Sequence, residues 1–272
     1  MKLRSLKIAL FASLLAFSTP VWAAFTYVQM AAAAANSGPI ETVHSCGAMP
    51  ANVTAGDTLV YFATYHSSGT AVTATMSDTL GNTYVQANSF FNTTDAIGIA
   101  WGYAANVTGG ADTPQVTWSG SVDEDRCVVL EYSGVSTTTP FTTGQAVGQE
   151  QTFTGTPGTN AISSGTTPTL ASEPTGIIAV TVDYNNGNTS TAGTGFTEIL
   201  SSATDTNHWE IEDQALTSTA ALAATFSSSA ITVSHFYTAA IVLNEGVPTF
   251  TPRPVESGGH LLISNGKIVT GE

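Results

Sequence analysis

Short apolar segments separated by turn residues run through this sequence and decide its fold class. The segments are rich in Val, Ile, Thr and aromatic residues, and Gly, Asn, Asp and Ser bound them, which is typical of β-strands. Helical periodicity is nearly absent, and the alanine run at residues 31–36 is too short to form a stable helix alone. We therefore predict an all-β chain, with strands between residues 25 and 132 and between residues 151 and 243.

The order of these segments in the first half of the chain recurs in the second half. The matching pairs are Thr58–Tyr65 with Ile177–Tyr184, Gly81–Val85 with Gly195–Ile199, Ile97–Ala105 with His208–Gln214, and Val116–Trp118 with Ala224–Phe226. Both halves end on an apolar strand followed by Gly-Val, so the pseudo-repeats span about residues 24–135 and 136–247. We favour one jelly-roll-like antiparallel β-sandwich to which both halves contribute strands. The alternative is two tandem immunoglobulin-like sandwiches.

Residues 1–23 are predicted to be a secretory signal peptide. Lys2, Arg4 and Lys7 precede the apolar run 8–17, and Val21-Trp22-Ala23 forms a small-residue cleavage site. The apolar run is too short to span a membrane. We expect a secreted protein, either extracellular or attached to the cell surface, with the periplasm as a further location.

Removal of this segment makes the protein strongly acidic. Three basic residues remain against 20 acidic residues, which gives 3 − 20 = −17, compared with −14 for the whole chain. So few basic residues cannot neutralise a run of phosphates, and that interaction supplies most nucleic-acid affinity. Nucleic acids and anionic membrane surfaces are therefore poor partners.

The two cysteines, Cys46 and Cys127, are predicted to form a disulfide because an exported protein meets an oxidising compartment. Closing a loop of about 80 residues stabilises a fold by roughly 4 to 5 kcal/mol in the chain-entropy model. Acidic clusters at Asp123-Glu124-Asp125 and at Asp78 with Asn82 offer oxygen ligands for a structural Ca²⁺ ion. Neither cluster has the spacing of a known calcium loop, and the other interpretation is that both are solvated turns.

One segment, His208-Trp209-Glu210-Ile211-Glu212-Asp213, has a catalytic character. Strand alternation puts Glu210 and Glu212 on one face about 7 Å apart, a spacing compatible with glycoside hydrolysis. The segment superficially resembles the acidic strand of laminarinase-like hydrolases, but Gln214 and Ala215 stand where that motif has its second acid. We predict a solvent-facing strand. No serine lies in a G-x-S-x-G turn and the histidines are scattered, so we assign no catalytic residue, no metal site and no cofactor.

Aromatic side chains are the more credible binding groups. An exposed platform of rings can stack on sugar faces or anchor a partner protein. Most aromatic residues in strands belong to the core, and the binding candidates that we name are Trp209, Trp101 and Tyr103.

The chain changes character after Val247. Pro248, Pro252 and Pro254 predict an extended linker over residues 248–259. Residues 260–272 then contain Asn265-Gly266 between two short apolar strands, which is the strongest local signal for a β-hairpin. A lone hairpin is marginally stable in water, so we expect it to dock on its own chain or on another molecule. The docking residues are Leu261, Leu262, Ile263, Asn265, Gly266, Ile268 and Val269.

Four runs resemble a poorly characterised β-sandwich module of bacterial secreted and surface proteins and of some phage structural proteins. They are Ala55–Val60, Ser77–Tyr84, Tyr103–Ala111 and Leu130–Val135. The resemblance covers about residues 25–247 and implies a fold rather than an activity. We expect an exported, non-catalytic structural or interaction protein, such as a surface, adhesion or assembly component. A carbohydrate-binding module is the alternative, and a glycoside hydrolase-like enzyme is third.

Overall fold

A computed structural model describes residues 24–32, 41–154, 160–170, 174–183, 188–202, 208–228, 233–246, 261–264 and 267–270. Every regular element in these ranges is a β-strand. The predicted signal peptide, the linker 248–259 and the turn Asn265-Gly266 lie outside the described residues.

The first half builds two antiparallel sheets. Its strands are β1 (Thr26–Ala32), β2 (Glu41–Ser45), β3 (Thr58–His66), β4 (Ala74–Ser77), β5 (Val85–Asn92), β6 (Ile97–Ala104), β7 (Gln115–Val122) and β8 (Glu124–Ser133). One sheet has five strands in the order β1-β8-β3-β6-β5, and the other has three in the order β2-β7-β4. The central strands β3, β6 and β8 are buried almost throughout.

The second half repeats this arrangement. Its strands are β9 (Ala146–Thr154), β10 (Asn160–Ser163), β11 (Pro174–Asp183), β12 (Ser190–Ala192), β13 (Thr197–Ser201), β14 (His208–Ala215), β15 (Thr225–Ser228) and β16 (Val233–Asn244). The five-stranded sheet has the order β9-β16-β11-β14-β13, and the three-stranded sheet has the order β10-β15-β12. The strand orders of the two halves therefore correspond one to one.

The four sheets form four layers with three interiors. A shared core lies between the two five-stranded sheets and contains Phe62 and Trp101 from the first half and Val182 and Trp209 from the second. The opposite face of each five-stranded sheet packs on the three-stranded sheet of its own half. Alternate residues of a central strand such as β3 thus enter different interiors, which is why its sequence is a continuous apolar run.

Reciprocal contacts reinforce the shared core. The Trp101 indole of the first half donates a hydrogen bond to the Ala240 carbonyl of the second half at 3.0 Å. Its ring lies against Gly148, where a Cβ atom would be 2.5 Å from the ring, so only glycine fits there. The corresponding tryptophan of the second half, Trp209, contacts the first half: its ring centre lies 5.0 Å from the Arg126 guanidinium.

Two tyrosine hydroxyls also bond across the halves. Tyr132 donates to Asp213 Oδ2 at 3.0 Å, and Tyr237 donates to Asp95 Oδ2 at 2.5 Å. Each half thus supplies one tyrosine and one aspartate, and the body of the chain, Ala23–Val247, is one compact unit.

The predicted all-β antiparallel sandwich is confirmed, and the pseudo-repeat appears as the repeated sheet order. In the described residues, no sheet mixes strands from the two halves. Each half closes its own pair of sheets, as in the alternative arrangement. Large apolar side chains on both faces of the five-stranded sheets explain this, since such a sheet needs a cover on each side.

The strands β17 (Leu261–Ser264) and β18 (Lys267–Thr270) form the predicted C-terminal hairpin. They pair antiparallel, with Leu262 opposite Val269 and Ile263 opposite Ile268. The hairpin belongs to a compact unit distinct from residues 23–247. Within the described part of the chain, no helix has the length and apolar character needed to cross a membrane.

Candidate functional site

Strand β14 does not face solvent, which corrects the prediction for His208–Asp213. It is an interior strand of its sheet, between β13 and β11. Trp209 and Ile211 point into the shared core, and His208, Glu210 and Glu212 have no exposed surface. The polar residues alternate with apolar ones as they would on a surface strand, but here both faces of the strand are covered.

The three polar side chains of β14 occupy an environment with few partners. Among the described residues, neither ring nitrogen of His208 and neither carboxyl oxygen of Glu210 has a hydrogen-bond partner. His208 Nε2 lies 3.6 Å from Glu210 Oε2. Glu212 accepts a hydrogen bond from the Gly193 amide at 2.7 Å through Oε2, and its Oε1 has no partner.

Burial keeps these carboxyl groups protonated to unusually high pH. It raises the pKa of Glu212 to about 8, and the neighbouring Glu210 carboxylate adds to the increase while the Gly193 amide opposes it. Burial also raises the pKa of Glu210. Both carboxyl groups are fully enclosed and have no path to a substrate in this conformation, so Glu210 and Glu212 give no support to glycoside hydrolysis.

The aromatic candidates divide by exposure. Trp101 and Trp209 are 0% and 1% exposed, so neither belongs to a surface platform. Both are large side chains on interior strands, and the shared core between the halves encloses them. Tyr103 is half-buried, and its ring lies 5.7 Å from the Phe141 ring. The sequence could not reveal the shared core, because it shows only that both tryptophans lie in strands.

The predicted disulfide is confirmed, and it links Cys46 with Cys127 across 81 positions of sequence. In the two acidic clusters considered for Ca²⁺, three aspartates bond to other groups of the protein. Asp78 accepts hydrogen bonds from the amides of Leu80 and Asn82, which closes its own turn. Asp123 and Asp125 bond to different histidines, at 2.5 Å to His66 and 2.6 Å to His44.

A cleft of about 460 Å³ lies in the first half, near the disulfide. Backbone hydrogen bonds from Met49 to the Asp112 carbonyl and from Val53 to the Gly110 carbonyl hold its two walls together. Asp112 lines it and is 3% exposed. Asp112 Oδ1 accepts two hydrogen bonds from Thr79, but its buried Oδ2 has no partner among the described residues. Burial raises the pKa of this carboxyl group.

A second polar cluster lies where the two halves meet. Asp95, in the turn between β5 and β6, approaches Glu150 on β9 and His235 on β16. His235 Nδ1 is 2.8 Å from Glu150 Oε1 and 2.9 Å from Asp95 Oδ2. One ligand atom from each residue lies within 4.8 Å of the others. Sequence reasoning missed this cluster because its members are far apart in the chain and share no motif.

Comparison with protein-family models, curated proteins and solved structures found no match to this chain.

Proposed function

We propose that this chain is an exported structural or interaction protein, a surface, adhesion or assembly component, whose C-terminal hairpin attaches it to a partner. The observation that carries this proposal is the hairpin, a separate two-stranded sheet in a unit distinct from the body. An isolated hairpin is marginally stable, and a further strand on either outer edge would complete its hydrogen bonding. The partner is a protein or a second copy of this chain.

The body suits a rigid structural role. Its largest apolar side chains are enclosed in three interiors, and the exposed large hydrophobic residues of the described part are Val28, Val43 and Val85. The outer strand β5 has a bulge between Gln86 and Asn88, and the corresponding β13 has one between Glu198 and Leu200. Bulges discourage uncontrolled pairing at these two sheet edges.

Export is supported by the N-terminal sequence pattern and by the buried disulfide, a bond that persists in oxidising compartments. Mass spectrometry of the mature protein from culture fractions tests it. We expect an N-terminus near Ala24 in a secreted, surface or periplasmic fraction. An intact Met1 in the cytosol would contradict export.

Hairpin attachment is tested by deleting residues 248–272 and by Gly266→Val, which disfavours the Asn-Gly turn. Gly258→Val changes the same residue type in the predicted linker and serves as the control. Light scattering and surface fractionation should show that the deletion and Gly266→Val lose assembly or attachment, whereas wild type and Gly258→Val keep it. Circular dichroism should show a folded β body in all four proteins. Assembly that is unchanged without residues 248–272 would refute the role of the hairpin.

Glycan binding is the second candidate function, and the Asp112 cleft favours it. The exposed Asn52 and Thr79 line this cleft and can hydrogen-bond sugar hydroxyls, and Asp112 Oδ1 holds Thr79 in place through two hydrogen bonds. A glycan array with wild type and Asp112→Asn tests this, with Asp123→Asn as the control for charge loss elsewhere. We expect weaker binding by Asp112→Asn only. If wild type binds no glycan, this candidate function is removed.

A further inference from the structure

We propose that Asp95, Glu150 and His235 form a binding site for a divalent transition-metal ion that cross-links the two halves of the body. Asp95 belongs to the first half, and Glu150 and His235 belong to adjacent strands of the second half. A metal held by all three residues would therefore bridge the two sandwiches at the rim of their shared core.

The donor set matches this class of ion. One imidazole nitrogen and two carboxylate oxygens are common ligands of Zn²⁺ and related metals, and three protein ligands leave a fourth position for water. Metal bonds of about 2.0 to 2.1 Å would require the 2.8 and 2.9 Å separations to widen by roughly half an ångström. The side chains of His235, Asp95 and Glu150 are 24%, 23% and 19% exposed, so an ion has access from solvent.

The charge at the cluster also favours a cation. Arg126 is the only Lys or Arg between residues 24 and 246, and its guanidinium lies over the Trp209 ring. Asp95 and Glu150 thus place two carboxyl groups beside each other with no Lys or Arg in the cluster. A divalent ion would neutralise both.

Outer contacts orient the ligand oxygens. Tyr237 donates a hydrogen bond to Asp95 Oδ2, and Asn92 Nδ2 donates to Glu150 Oε2 and to Asp95 Oδ2. The Thr152 hydroxyl donates to Glu150 Oε1 at 3.1 Å. Such outer partners hold ligands in place at metal sites, and their loss typically weakens metal binding about 10- to 100-fold.

The test uses the full chain without an affinity tag, stripped with a chelator and titrated with Zn²⁺ by calorimetry. We expect one ion per chain and a rise in the unfolding temperature with bound metal. His235→Gln and Glu150→Gln should each weaken binding at least about tenfold. His66→Gln should not, because it alters a partly exposed histidine that pairs with Asp123 elsewhere.

Asp95→Asn, which adds no bulk, provides a further readout. If Co²⁺ replaces Zn²⁺, the visible absorption of the bound ion should disappear in Asp95→Asn and persist in His66→Gln. Proton competition for the imidazole should weaken binding in acid. If wild type binds no Zn²⁺, or if the three ligand variants bind it as wild type does, the cluster is a histidine-carboxylate contact and the metal site is refuted.

Discussion

The two halves share one sheet order but differ in the interior between their own sheets. In the first half, this interior contains the disulfide and buried polar groups with strong partners. Asp125, for example, accepts hydrogen bonds from both His44 and Trp118 at 2.6 Å. In the second half, the corresponding interior encloses His208, Glu210 and Glu212 with few partners.

The contrast is clear in the unpartnered buried side-chain atoms. Among the described residues, two of these atoms lie in the first half and eight in the second, and five of the eight belong to β14. Unpartnered buried polar atoms each cost about 1–3 kcal/mol. A common topology therefore allows two very different interiors. We infer that the second half is less stable than the first and that its stability depends more strongly on pH.

Loss of the disulfide and loss of the Trp101 side chain should lower the free energy of unfolding the most. The double variant Cys46→Ala with Cys127→Ala should lower the free energy of unfolding by roughly 4 to 5 kcal/mol, because the 81-residue separation closes a long loop. Urea unfolding measures this, and reduced wild type is the control. A change below about 1 kcal/mol would show that the cross-link does not account for the stability of the first half.

Trp101→Ala tests whether the halves unfold together. It removes a fully buried indole and leaves the Ala240 carbonyl without its donor, so we expect a loss of about 3–5 kcal/mol. Tyr103→Ala, two residues along the same strand and half-buried, should cost less. Fluorescence and circular dichroism should report one coincident transition. Two transitions, with only one of them shifted, would mean that the shared core does not couple the halves.

The pH dependence of stability should distinguish the interiors. The pKa of Glu212 is about 8 in the fold, above its ordinary value of 4.5, so the native state retains a proton that the unfolded chain has released. Stability from this group is therefore full below pH 4.5 and is lost as pH rises towards 8.

Glu212→Gln should remove this loss of stability between pH 4.5 and 8. At pH 8 it should raise the free energy of unfolding by a few kcal/mol, on the order of 1.4 kcal/mol per pKa unit. The glutamine retains an oxygen to accept the Gly193 hydrogen bond. Asp57 in the first half provides the comparison: burial raises its pKa to about 7, but its side chain is partly exposed. Asp57→Asn should therefore raise the free energy of unfolding less than Glu212→Gln does, since solvent screens the Asp57 charge. Urea unfolding between pH 4 and 9 measures both changes. If Glu212→Gln and Asp57→Asn raise the free energy of unfolding equally, the proposed difference in pH dependence between the two halves is wrong.

Removing the two tyrosine hydroxyls that bond across the halves should change the free energy of unfolding the least. Tyr132→Phe leaves Asp213, which is 9% exposed, without its hydroxyl partner and should cost about 1–3 kcal/mol. Tyr237→Phe should cost less, because Asp95 keeps contacts with His235 and Asn92. Thermal unfolding of both variants measures the order, and the reverse order would contradict it.

The sequence predicts the strands well where the apolar pattern is strong. The strands β3, β6, β11 and β16 are long runs of apolar, β-branched or aromatic residues, and the structure contains each of them. The sequence gives no signal for the short strands β10 (Asn160–Ser163) and β12 (Ser190–Ala192), because three or four mostly small or polar residues show no alternation. The disulfide could be predicted because the chain is expected to enter an oxidising compartment, and the sequence says nothing about the distance between the two cysteines.

The sites are less predictable because they depend on which faces are covered. The alternating charges of β14 indicate one wet face, and only the neighbouring three-stranded sheet makes that face dry. The Asp95, Glu150 and His235 cluster assembles from both halves, with up to 140 positions of sequence between its members. No local spacing rule detects such a cluster.

The reciprocal contacts between the five-stranded sheets have the character of an isologous interface, in which β6 meets β16 and β14 meets β8. The chain thus behaves as a dimer whose two subunits are covalently tethered. An ordinary homodimer dissociates on dilution, whereas a tethered pair experiences a fixed effective concentration of its partner. Dilution of the protein should consequently leave this interface intact.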